Sequence, residues 1–382
     1  MCYAECKEQS PQGNVPNLRF PEFSGEWAKF RNDSLFNVIS EKNKGKLITS
    51  VLSASQTDGM VSRDSLGIDI KFEEDSIKNY KIVREGDYVI HLRSFQGGFA
   101  FSDRVGVCSP AYTILRPTKQ VSYGFLKPFF MSNKFINSLR LVTYGIRDGK
   151  SISVEEWLKL NTHLPSLKEQ QKISSFLALL DERIATQIKI IEDLKKLKSA
   201  ISNKYLYDKS WPKYKMSEIA TLGRGRVISS KEIGLQRNPM YPVYSSQTSN
   251  DGVMGYLDTY DFDGEYITWT TDGANAGTVF YRNGQFNCTN VCGTIKVGES
   301  FDAYFLSTIL QTATARYVST NLANPKLMNN TMASIVVRIP DIKIQKYWSS
   351  ILRKMEEKLS VESTILLALQ QQKQYLLAQM FI

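Results

Sequence analysis

Between Pro165 and Tyr207 apolar residues recur at alternating steps of four and three: Ile173, Leu177, Leu180, Ile184, Ile191, Leu194 and Ile201. That spacing is a heptad seam, narrower than the apolar face of a globular helix. No Gly or Pro interrupts it after Pro165. Ser166 followed by Glu169 predicts a capping box, the hydroxyl taking an orphan N–H and the carboxylate reaching back to the cap. About forty residues at 1.5 Å each predict a rod of roughly 60 Å, which needs a partner along its seam. Aligning Pro165 with Pro340 supplies one. Ser174-Ser175 falls on Ser349-Ser350, and the seam becomes Trp348, Leu352, Met355, Leu359, Leu366, Leu369 and Leu376. The polar breaks recur as well, Gln187 against Glu362 and Lys198 against Lys373. Shared apolar positions arise readily by chance; shared exceptions do not. The chain is an internal duplication.

Were the two helices to pack antiparallel, a positions would face d positions. One register pairs Lys198 with Glu362 and Gln187 with Lys373. It also sets Ile184 against Leu376, Ile191 against Leu369, Leu194 against Leu366 and Ile201 against Leu359. A shift of one heptad overlaps more but puts Lys198 on Met355 and Gln187 on Leu366. A buried charge without a partner costs several kcal/mol, while one more seam layer gains about two to four. The first register is therefore the expectation.

Outside the helices the period changes. Runs such as SVLSASQTDGM, DYVIHL and RVGVCSPAYTIL are β-branched or aromatic and broken by Gly, Asp, Ser and Pro, which predicts strands. Phe125 to Leu141 is helical in period. The same plan returns downstream. Trp27-Ala-Lys-Phe is echoed by Trp211-Pro-Lys-Tyr, Gly86-Asp-Tyr-Val-Ile by Gly264-Glu-Tyr-Ile-Thr, and Phe125-Leu126 by Phe305-Leu306. Ser-Gln-Thr at 55–57 recurs at 246–248, and Gly149-Lys150 is echoed by Pro325-Lys326. The expected organisation is a polar, loose arm (1–17), a first domain (18–163), a central helix (164–207), a second domain (208–339) and a C-terminal helix (340–382). The fold class is α/β in composition, of the α+β kind: two pseudo-repeated domains and two long helices that pair along their seams as a coiled coil.

The 382 residues are 42% hydrophobic, enough for two domain cores beside the helices. A formal charge of +10 and an isoelectric point near 9.1 favour a polyanionic partner, nucleic acid first. Five cysteines without framework spacing indicate a reducing compartment. Cys288 and Cys292 are expected to be buried thiols, since only His91 and His163 could add imidazole ligands. The first residues lack the apolar core of a signal peptide, and no run approaches a membrane span, so a cytoplasmic protein is expected.

Enzyme signatures are weak. Asn238-Pro-Met-Tyr241 resembles an amino-methyltransferase site, but lacks its second Pro and has no Gly-rich loop before it. A turn entering a strand is the better reading. Pro340-Asp341 with Glu356-Glu357-Lys358 imitates a nuclease pattern but lies on the second long helix, where Glu and Lys flank a seam. Gly223-Arg-Gly225 is a lone GxG, and neither His accompanies a nucleophile. The chain is expected to bind neither metal nor cofactor and to catalyse nothing alone. Side chains suited to base edges and phosphates instead recur at matching places in both halves. In the first domain they are Ser53, Ser55 and Gln56; His91, Arg93, Ser94 and Gln96; and Arg147 with Lys150. In the second they are Ser245, Ser246 and Gln247; Trp269, Thr270, Thr271, Asp272 and Asn275; and Asn321, Asn324 and Lys326.

Two divergent domains, each followed by a Pro-capped long helix in direct repeat, resemble the specificity subunit of type I restriction-modification systems. LRFPEFSGEW near the start and LPSLKEQQKI entering the first helix carry the resemblance most sharply. The second copy departs, with Ile344 where Glu169 stands and Trp348 where Ile173 stands. The resemblance covers nearly the whole chain and implies two target recognition domains, each with a curved β-sheet and helices, each reading one half of a split double-stranded DNA sequence. It further implies long helices that pack antiparallel, set the half-site spacing and dock two modification subunits. Those subunits would carry S-adenosylmethionine and methylate adenine, and restriction subunits would add translocation and cleavage with ATP and magnesium. A non-enzymatic DNA-binding regulator or architectural protein is the alternative; it predicts the same charge without needing docking helices.

Overall fold

The computed structural model describes residues 13–45, 48–55, 58–63, 74–91, 98–144, 151–319 and 324–382. The chain divides into two compact units, Met1–Ile188 with Ile365–Ile382, and Lys189–Thr364. Each unit therefore holds one domain together with a stretch of each long helix.

In the first unit the order is β1 (Ala28–Arg31), α1 (Asn32–Leu35), β2 (Phe36–Ile39), β3 (Leu52–Ser55), β4 (Gly59–Ser62), β5 (Lys81–Val83), β6 (Tyr88–Ile90), β7 (Phe99–Phe101), β8 (Gly106–Cys108) and β9 (Thr113–Pro117). Then come α2 (Leu126–Phe130), α3 (Asn133–Ser138), β10 (Thr143–Tyr144), β11 (Ser151–Ile152), α4 (Val154–Lys159), β12 (Asn161–Leu164) and α5 (Leu167–Tyr205), the first long helix. The main sheet is antiparallel with order β2-β9-β6-β7. Phe36, Tyr88, Phe99, Phe130 and Trp157 pack edge-on and tilted beneath it. β1 pairs with β12, Ala28 opposite Leu164, so the chain returns to its own entry before α5 begins. Within residues 13–17, Asn14 O accepts from Trp27 N–H and Asn17 Nδ2 donates to Gln379 Oε1. Phe381 closes the unit against Trp27, Phe125 and Phe129.

The second unit repeats the plan. It contains β13 (Lys213–Lys215), α6 (Met216–Ile219), β14 (Ala220–Arg224), α7 (Ser230–Gly234), β15 (Tyr241–Tyr244), β16 (Val253–Leu257), β17 (Tyr266–Thr270), β18 (Val279–Arg282), β19 (Asn287–Cys288) and β20 (Cys292–Val297). It ends with α8 (Ala303–Ala313), α9 (Asn329–Ser334), β21 (Val336–Arg338) and α10 (Ile342–Met380), the second long helix. β13 pairs with β21 as β1 does with β12, and the sheet β14-β20-β17-β18 has the order of β2-β9-β6-β7. The duplication read from the helices thus extends through both sheets. Cys288 and Cys292 are buried free thiols, and Asn238 stands in a turn whose Arg237 and Asn238 N–H groups donate to Asp258 before β15. Asp341 caps α10, accepting from the Lys343 and Ile344 N–H groups.

The start of α5 departs from the predicted capping box. Ser166 Oγ accepts from Glu169 N–H at 3.4 Å, but the Glu169 carboxylate is held by Arg19 through two bonds of 2.7 Å. A bidentate guanidinium is a stronger partner than a lone N–H, and the carboxylate is buried with it. The shared anchor is the next residue. Gln170 Nε2 donates to Pro165 O and its Oε1 accepts from Ser122 N–H; Gln345 Nε2 donates to Pro340 O and its Oε1 accepts from Asp302 N–H. Each buried glutamine ties a long helix to the loop entering α2 or α8.

The seam positions Leu177, Leu180, Ile184, Ile191, Leu194, Ile201, Leu352, Met355, Leu359, Leu366, Leu369 and Leu376 are all buried or half-buried. Their register is not the expected one. In the second unit Lys198 Nζ reaches Glu356 at 2.5 Å, beside Met355, and Tyr205 stacks on Trp348 with ring centroids 5.2 Å apart. In the first, Lys373 pairs with Asp181, not Gln187, and Leu376 shares a core with Leu177. Both ends adopt the shift by one heptad. The lysines extend past the seam to carboxylates on its rim, so neither is stranded on an apolar layer. Glu362 is bridged by Lys358 on its own helix.

Candidate nucleic-acid interface

Strand pairing brings several loop ends of the second unit to one edge of its sheet. Arg224 lies opposite Gly293, Thr270 opposite Cys292 and Trp269 opposite Val279, so the end of β14, the end of β17 and the starts of β18 and β20 coincide. β15 runs parallel to β19, Tyr244 beside Cys288, and Thr289 N–H donates to Tyr244 O at 2.9 Å. The loop carrying Ser245, Ser246 and Gln247 therefore leaves next to the turn that enters β20. The third cluster joins through backbone bonds, Gly273 N–H to Pro325 O and Leu327 N–H to Thr271 O. Asn275 and Asn324 are exposed there.

Charge at this edge is organised around Asp272. Its carboxylate contacts Arg224 at 3.5 Å and Lys326 at 3.4 Å, and Arg224 Nη2 also donates to Thr271 Oγ1 at 3.0 Å. Arg224 was not evident from the sequence: it ends a strand far from the loops it joins, with no echo in the first domain. Arg226 is likewise new, held by Asp261 at 3.0 Å and Glu232 at 2.7 Å. Neutralised cations of this kind can exchange a carboxylate for a phosphate.

Three predicted contact residues belong to the interior instead. Trp269 is 0% exposed, its indole N–H donates to Leu327 O at 2.8 Å, and its ring lies against Gly293, where a Cβ would approach to 2.3 Å. Thr270 and Thr271 are also buried. The cause is position: β17 is a central strand between β20 and β18, with α8 packed over it. A Trp among threonines reads as a loop cluster when the covering helix is not visible.

In the first unit His91 follows β6, half-buried, 6.1 Å from the ring of Tyr112. Burial disfavours the charged imidazole and holds its pKa below the ordinary value. Ala54 of β3 packs against the same core cluster as Tyr112, which brings β3 to the same place. Ser53 Oγ accepts from Arg63 Nε at 3.4 Å, and Ser55 Oγ donates to Asp58 at 2.8 Å, closing the β3–β4 hairpin. Gln56, Arg93, Ser94, Gln96, Arg147, Lys150 and Asn321 lie outside the described residues.

A family model described as "Type I restriction modification DNA specificity domain" matches residues 24–196 and again 208–371. Among curated proteins of Mycoplasma pneumoniae, the N-terminus of a putative type I specificity subunit is 46% identical over 141 residues, 36% of this chain and 74% of that protein. A second putative type I specificity subunit is 37% identical over 197 residues, 50% of this chain and 82% of its own length. The fold is that of a type I restriction-modification S subunit from M. genitalium, with a TM-score of 0.67 at 17% identity, covering 96% of this chain and 99% of that one. A chain from a structure of type I R-M complex assembly and conformational transition gives 0.55 at 14% identity, covering 92% and 96%.

Proposed function

This chain belongs to the type I restriction-modification DNA specificity family, and from that premise we propose that its two domains read the two unlike halves of one split DNA target for partner subunits that do the chemistry. Its role is DNA recognition in a restriction-modification system. The observation that carries the finer reading is the contrast within the duplication. The frameworks β1–β12 with β2-β9-β6-β7 and β13–β21 with β14-β20-β17-β18 match, whereas the side chains at the loop edges do not. Two readers on one chain with different loops suit two different half-sequences, where a symmetric dimer would read a palindrome. Ser245, Ser246, Gln247, Asn275, Asn324 and, in the first domain, Ser53 and His91 are suited to base edges, and Arg224 and Lys326 to phosphates. The chain itself needs no cofactor. Two modification subunits would supply S-adenosylmethionine and methylate adenine, and restriction subunits would use ATP and magnesium, all in the cytoplasm with the DNA.

Single-molecule methylation sequencing of a host expressing this chain with its modification partner tests the reading. The expected result is N6-methyladenine confined to one bipartite motif with two different halves, absent when the chain is omitted. Marks in a contiguous palindrome, or marks unchanged without this chain, would overturn it.

A further inference from the structure

Gln247 sits in a loop, 245–252, whose backbone adopts an unfavourable shape. Asn250 (φ 49°, ψ 43°) and Asp251 (φ 52°, ψ 27°) are consecutive non-glycine residues in the left-handed region. Such residues persist only where the surroundings hold them, and they concentrate at functional loops. Arg282 holds Asp251. Its side chain is 3% exposed although it ends a strand, and Nη1 donates to Asp251 Oδ2 at 2.6 Å while Nη2 donates to Asp251 O at 2.7 Å. Nε donates to Thr268 Oγ1 at 3.3 Å. The guanidinium lies over two rings, 3.6 Å from the centroid of Tyr244 and 4.4 Å from that of Phe280. Tyr244 is the residue from which the loop departs, and Ser245 N–H donates to Gly252 O across its base. A Cβ at Gly252, itself at φ 82°, would come within 3.2 Å of Arg282 Nη2, so the loop closes directly on the guanidinium.

A buried arginine is expensive unless its charge and donors are matched. Here the partner carboxylate is 70% exposed and lies on the loop. For core stability alone an apolar residue would serve, and the first domain has one: Tyr88 pairs with Phe101 where the equivalent Tyr266 pairs with Arg282. Where the first domain has a core aromatic, the second thus has a cation that reaches out to one loop. We propose that Arg282 is a positioning residue that fixes the conformation of loop 245–252 and so decides which bases the second half-site accepts, without touching DNA itself. This rests on the reading of that loop as a DNA reader.

The test uses Arg282→Lys and Asp251→Asn in the full chain. Lysine keeps the charge but cannot form the two-pronged bond to Asp251. Asp251→Asn removes the carboxylate from an exposed position and leaves the core intact. Backbone amide exchange on the free chain is read first, then the methylation motif with the modification partner. Both variants are expected to raise exchange at Ser245 and its loop neighbours. Both are also expected to reduce discrimination about tenfold at one or more positions of the second half-site, with the first half unchanged. The double variant should be no worse than either single one, since both break one link. Unchanged loop exchange in both variants, or a wild-type motif in both, overturns the proposal. So does equal damage to both half-sites with no change of motif in Asp251→Asn. Raised loop exchange with no split motif in the unaltered protein would instead overturn the functional reading and leave the link standing.

Discussion

Trp269 and Gln247 look like equivalent candidates for base contact, yet burial separates their roles. Trp269→Ala deletes an indole from the second core and leaves Leu327 O without its donor, which should cost about 3–5 kcal/mol. Calorimetry should show a lower melting temperature, and methylation at the whole bipartite site should fall without a change of motif. Gln247 is half-buried on the loop, with its amide on Val253 O. Gln247→Ala should leave melting nearly unchanged and relax the second half-site, at about 1–3 kcal/mol for a lost base contact. A melting shift for Gln247→Ala as large as that for Trp269→Ala, with no change of motif, would contradict this division.

For the long helices the testable quantity is register. Lys198 on Glu356 and Tyr205 on Trp348 define one alignment of α5 with α10 in the second unit. The ion pair lies on the rim, with Lys198 24% and Glu356 45% exposed, so solvent screening limits its coupling to about 0.3–1 kcal/mol. Lys198→Glu should lower stability in urea, and adding Glu356→Lys should recover most of the loss. A double-mutant cycle with no coupling there, and recovery by Glu362→Lys instead, would restore the register expected from the seam alone. Matching Lys198 to Glu362 treats both as buried charges, whereas a lysine stem packs on the seam while its ammonium leaves it. With that penalty removed, the longer overlap and the aromatic stack decide.

Modularity is the prediction for the whole molecule: exchanging residues 18–163 for the matching domain of a relative should change one half of the methylated motif and leave the other intact. A hybrid altering both halves together would end the one-domain, one-half assignment. Repetition made this organisation legible in the sequence. The seam with its polar breaks, the Pro165 and Pro340 starts, and the Gly86 and Gly264 strand entries are local or translational patterns, which survive in one dimension because each follows from helix period, turn chemistry or duplication. Even Gln170 and Gln345 could have been found, since they align once Pro165 is set on Pro340, although their bonds to Ser122 and Asp302 could not. What needed the tertiary structure were relations between residues far apart in the chain. The cover of β17 that takes Trp269, Thr270 and Thr271 inside is one, and the meeting of Arg224 and Lys326 on Asp272 is another. The reach of Arg282 to Asp251 is a third. Spacing carries no trace of such pairs, because burial and charge pairing depend on which surfaces the fold brings together, and a polar residue in a strand is exposed or enclosed according to neighbours that sequence distance does not reveal.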